Sequence, residues 1–107
     1  MSYVIRRVYE VKPGSARRVA TTLAKQAALY EEAGQRSPSR IYFNGGTLPG
    51  EKDRVYMEWT ADVIASPYRE GNQIPQTVMD AGAANRDLVI GNHIEFFELL
   101  TPSKHQE

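Results

Sequence analysis

Residues 3–11, YVIRRVYEV, put apolar side chains on both faces of one extended segment. One face carries Tyr3, Ile5, Arg7, Tyr9 and Val11; the other carries Val4, Arg6, Val8 and Glu10. A strand that is partly apolar on both sides has to be covered on both sides. Lys12-Pro13-Gly14 then ends it, because proline cannot donate to a ladder and glycine frees the backbone. This opening segment predicts a layered domain with material on each face of its sheet.

The next residues supply one layer. Ser15 stands where an N-cap belongs, and residues 16–33 are rich in alanine and long-chain helix formers. Ala16, Val19, Ala20, Leu23, Ala27 and Tyr30 fall on one side at helical spacing, with Arg17, Thr21, Lys25 and Glu32 opposite. Gly34 supplies the stop. A second strand is expected over residues 40–44 and a third over residues 54–60, joined by a polar hairpin loop containing Pro49-Gly50. The third strand places Val55, Met57 and Trp59 on one face and Tyr56 and Glu58 on the other. A second helix is expected over residues 74–88, with Gly91-Asn92 turning the chain into a last strand over residues 94–100.

The order β-α-β-β-α-β is the ferredoxin-like split βαβ arrangement, an α+β domain whose four-stranded antiparallel sheet has helices on one face. The other face must be polar or find a partner. In the last strand Ile94, Phe96 and Leu100 point one way and Phe97 and Leu99 the other. Two sheets packed face to face would cover the exposed set, so a homodimer is expected.

Length and charge narrow the rest. With 107 residues there is room for one core, read as a single domain over residues 1–101 followed by a polar tail over residues 102–107. Thirteen basic and thirteen acidic side chains cancel, so no field draws in nucleic acid or an anionic membrane. No cysteine is present, which excludes disulfides, thiolate catalysis and zinc–thiolate sites and suits a reducing, cytoplasmic setting. No apolar run is long enough to span a bilayer.

Two segments resemble a known family. Arg7-x-Tyr9-x-Val11-Lys12-Pro13-Gly14 is similar to the first-strand signature of NIPSNAP-like domains, and Asp53-Arg54-Val55 followed by Trp59 resembles their third strand. These domains belong to the dimeric α+β barrel superfamily, alongside antibiotic-biosynthesis monooxygenases and stress-responsive barrel proteins. The resemblance implies a homodimer with a cavity in each subunit between sheet and helices. It also implies either cofactor-independent monooxygenase, isomerase or cyclase chemistry on an organic metabolite, or a non-catalytic binding or interaction module. Haem-degrading relatives use a first-strand asparagine, a second-helix histidine and a strand tryptophan. Trp59 matches the last of these alone, so no haem and no other cofactor is expected.

Several residues can carry chemistry on such a scaffold. Arg7 and Tyr9 share one face of a central strand, where an arginine can clamp a carboxylate and a tyrosine can donate or shuttle a proton. The plainer alternative pairs Arg7 with Glu58 or Glu95 on a neighbouring strand. Glu58 is a candidate general base if its surroundings are dry, and a cross-strand salt bridge otherwise. His93 is read at the start of the last strand, near a rim, as a group able to titrate near neutrality or as an ordinary surface residue. Tyr42, Asn44 and Trp59 are candidates for ligand binding, the two rings as an aromatic wall or as core packing. No histidine pair has metal-ligand spacing with a carboxylate, so no metal is expected.

Overall fold

The computed structural model describes residues 2–32, 38–64 and 86–106. Among them the chain runs β1 (Tyr3–Val11), α1 (Ala16–Glu32), β2 (Arg40–Asn44), β3 (Arg54–Ala61) and β4 (Val89–Glu98), followed by a 3-10 turn over Pro102–Lys104. The strands form one antiparallel sheet in the order β2-β3-β1-β4, which places β1 between β3 and β4. The second helix expected over residues 74–88 lies outside the described residues except for its last three, which form a turn.

Local chemistry explains the boundaries. The Ser15 carbonyl accepts the first helical bond, from Val19 N at 3.0 Å, so Ser15 occupies the N-cap position. Ala16, Val19, Ala20, Leu23 and Ala27 are buried against Val11, Val55 and Met57, with Tyr9, Ile41 and Trp59 packed at the edge. That cluster fixes which side of the sheet α1 covers. By strand alternation and register, Ile5, Arg7, Tyr9 and Val11 share that side with Val55, Met57 and Trp59 on β3 and with Asn92, Ile94 and Phe96 on β4. The far face carries Val4, Arg6, Val8 and Glu10 on β1, Arg54, Tyr56 and Glu58 on β3, Arg40 and Tyr42 on β2, and His93, Glu95 and Phe97 on β4.

The last strand differs from the sequence expectation. It begins at Val89 instead of residue 94 and ends at Glu98, so Leu99 and Leu100 lie beyond it. Gly91-Asn92, read as a turn, is inside the strand: Gly91 pairs with Glu10 and Asn92 with Tyr9. Val11 pairs with Val89, which leaves Ile90 as the extra residue of a β-bulge. Nine residues of β1 thus offer a template that overrides the local turn signal of the glycine. The residues after the strand, read as a polar tail, are tied back. Lys104 Nζ donates to the Leu99 carbonyl at 3.0 Å and pairs with Glu98 at 3.1 Å.

Candidate functional site

The expected site residues divide between the two faces of the sheet. Arg7, Tyr9 and Trp59 are on the α1 side; Glu58, Tyr42, Asn44 and His93 are on the far face. No single site within one chain can therefore use both sets.

The far face is organised by a residue that the sequence reading passed over, Arg6. Its guanidinium donates through Nε to Glu95 Oε1 at 2.9 Å and lies over two rings, Tyr56 at 5.6 Å and Phe97 at 5.1 Å. Tyr56 in turn stacks on Tyr42, centroids 5.1 Å apart. Tyr42 donates its hydroxyl to Glu58 at 2.9 Å, and Arg40 donates to the same carboxylate. The result is a ladder across all four strands, two aromatic rings, a cation and a third ring, edged by ion pairs. Its ionic members hold one another charged. Tyr42, then Glu95, raises the Arg6 pKa above its already high ordinary value. Arg40 lowers the Glu58 pKa below the ordinary carboxylate value. Burial raises the Tyr42 pKa.

Glu58 is consequently a structural anion and lacks the raised pKa of a general base. Because its folded-state pKa is depressed, the stability it contributes is present above pH 4.5 and is lost as the pH falls below that. Glu58→Gln should therefore narrow the stability gap between pH 7 and pH 3 relative to wild type, as read by urea unfolding at both pH values. An unchanged gap would show that another carboxylate dominates acid unfolding.

His93 is not at the start of its strand. It stands opposite Val8, exposed, with Nε2 3.7 Å from Glu95 Oε2. Asn44 serves the hairpin: its side chain donates to the Leu48 and Pro49 carbonyls at 3.0 and 3.2 Å and accepts from Gly46 N at 2.8 Å. These contacts hold the loop in which Gly46 and Gly50 take positive φ.

On the α1 side, Arg7 is half-buried and faces away from both carboxylates expected to pair with it. Arg7 lies opposite Met57 and Ile94, whereas Glu58 and Glu95 lie opposite Arg6. Arg7 Nη1 donates instead to the neutral side chain of Asn92, at 3.1 Å. Among the described residues it has no carboxylate partner. Tyr9 and Trp59 flank it on the same side of the sheet.

No protein-family model matches the sequence, and no match to it was found among curated proteins. Solved structures do share its fold. A protein from Pseudomonas aeruginosa superposes with a TM-score of 0.63 at 15% identity, over 94% of this chain and 95% of that one. A dimeric protein of unknown function and ferredoxin-like fold from Bacteroides fragilis gives a TM-score of 0.57 at 14% identity, over 91% and 96%. An uncharacterized NIPSNAP-like domain protein from Burkholderia xenovorans gives 0.54 at 19% identity, over 99% and 90%. No helix among the described residues is long and apolar enough to cross a membrane. The chain has the ferredoxin-like fold of these proteins, a NIPSNAP-like domain among them.

Proposed function

We propose that the protein is a homodimer that binds a small organic anion on the α1 side of its sheet, with the far faces of two copies packed together. The observation that carries this is Arg7, a half-buried residue whose guanidinium makes one exposed hydrogen bond, to an amide, and meets no carboxylate among the described residues. A guanidinium with N–H donors to spare and a neutral neighbour is a ready partner for an anionic ligand. Tyr9 and Trp59 offer that ligand ring surface. Binding is favoured over turnover, because Glu58 and His93 lie on the opposite face and Glu58 is held by Arg40 and Tyr42. A monooxygenase, isomerase or cyclase reaction would have to run on Arg7 and Tyr9. The absence of cysteine suits a reducing, cytoplasmic setting.

The decisive experiment is native mass spectrometry of the purified protein, followed by identification of any released molecule. An organic acid is the expected result. A protein that carries no acid, and that binds none from a panel of carboxylates, would overturn the reading.

The dimer is supported by the far face itself and by the dimeric neighbour of like fold. The face bears three arginines (Arg6, Arg40, Arg54) and three glutamates (Glu10, Glu58, Glu95), with Phe97 and Tyr42 exposed among them. A two-fold interface needs such self-complementarity, since the same patch meets itself. Light scattering at micromolar concentration should report twice the chain mass, with a buried area on the order of 2,000 Å². A monomer at that concentration would refute the dimer and leave the Arg7 site untouched.

A further inference from the structure

We infer that Asn92 completes an anion-binding fork with Arg7, and that this fork takes the carboxylate of a planar organic acid. The inference rests on the reading of Arg7 as a ligand-binding cation and adds the second donor and the ligand class.

Asn92 is brought to Arg7 by the sheet. It pairs with Tyr9 across the β1–β4 ladder, one step along from the Arg7–Ile94 pair and on the same face. An arginine has five N–H donors and no acceptor, so the 3.1 Å contact fixes the amide with its oxygen towards Arg7. The two Nδ2 hydrogens then point away from the guanidinium. Neither they nor the remaining Arg7 donors have a protein partner among the described residues. The glutamates on neighbouring strands cannot quench this cluster. Glu10, Glu58 and Glu95 project to the far face. Glu98, at the other end of β4, is opposite Tyr3 and pairs with Lys104.

The chemistry of the pair selects its ligand. A guanidinium presents parallel N–H bonds that match the two oxygens of a carboxylate, and an adjacent amide N–H can reach the same group. The neutral partner matters most. Asn92 orients Arg7 without cancelling its charge, which a carboxylate at that position would do. Tyr9 beside Asn92, and Trp59 and Phe96 opposite Ile5, supply ring surface for a flat ligand body.

The test uses benzoate, its neutral isostere benzamide and inorganic phosphate, titrated calorimetrically into wild type, Arg7→Met, Asn92→Asp and Asn92→Ala. Wild type should bind benzoate at least about tenfold more tightly than benzamide, the worth of one charge-assisted hydrogen bond, and phosphate more weakly than benzoate. Asn92→Asp places a carboxylate of the same size against Arg7. It should lose at least about tenfold in benzoate affinity while melting no lower than wild type. Asn92→Ala removes the pin and the second donor, and should weaken benzoate while leaving benzamide unchanged. If Asn92→Asp fails to fold, the alanine variant decides.

Benzoate binding that is unchanged in both Asn92 variants and lost in Arg7→Met would overturn the role of Asn92 and leave the Arg7 reading standing. Phosphate binding tighter than benzoate would overturn the ligand class. A wild type that does not separate benzoate from benzamide would bring down the Arg7 reading, and this inference with it.

Discussion

Leu23→Ala is expected to cost about 3 kcal/mol, the midrange for a buried leucine reduced to alanine. Leu23 is 2% exposed and lies in the row of α1 side chains that meets Val11, Val55 and Met57. That cluster is small and built largely of alanine and valine, so few neighbours can move into the space left behind. A domain of this size should melt roughly 15 °C lower, at about 4–8 °C per kcal/mol. The same substitution at Leu48, which is 65% exposed in the hairpin loop, should shift the transition by no more than about 0.5 kcal/mol. Equal losses in thermal melts of the two variants would mean that α1 does not seal the core as described.

Arg6→Glu should do comparable damage by a different route. It removes the cation that lies over Tyr56 and Phe97 and the partner of Glu95, and it sets a new carboxylate in their place. Arg6 and Glu95 side chains are 32% and 36% exposed, so the effect falls below the loss seen for a fully buried pair, at about 2 kcal/mol. The larger consequence concerns assembly. Each far face would change by two units of charge, so two copies would meet with four extra negative charges between them. The variant is expected to be a monomer by light scattering. Exchanging the pair, Arg6→Glu with Glu95→Arg, should restore part of both losses. A single variant that still dimerises would place the interface elsewhere.

Much of the fold was legible in the chain because its local signals agree with its tertiary pairing. β1 and β2 have the bounds that residue type alone predicts, and β3 runs one residue further. Ala16, Val19, Ala20, Leu23 and Ala27, which the 3.6-residue spacing places on one side of α1, form its buried row. The last strand was misplaced where local and global preferences conflict, at a glycine that breaks a strand in isolation but fits a bulge beside β1. The candidate site was half legible. Alternation shows that Arg7 and Tyr9 share a face, and that Trp59 and Glu58 do not. It cannot show which face of β3 meets which face of β1, since a one-residue slip would exchange them. The register settles that point, putting Arg6 opposite Glu58 and Glu95 and leaving Arg7 with Asn92. Arg6 itself carried a usable signal: an arginine in mid-strand, with mid-strand glutamates on two other segments, needs an anion beside it.

The bulge at Ile90 also bears on how such chains can diverge. Gly91 to Glu98 keep their partners on β1 in regular alternation, and the surplus residue lies at the strand's end, 63% exposed. Deleting Ile90 would bring Val89 next to Gly91 and straighten the ladder, with Val11 still opposite Val89 and Asn92 still opposite Tyr9. A descendant could therefore lose one residue there without turning a single side chain of the fork or the ladder to the wrong face. The same deletion two residues later would invert part of the strand. Length variation among relatives of this fold should accumulate at that corner and be purged from the stretch that follows it.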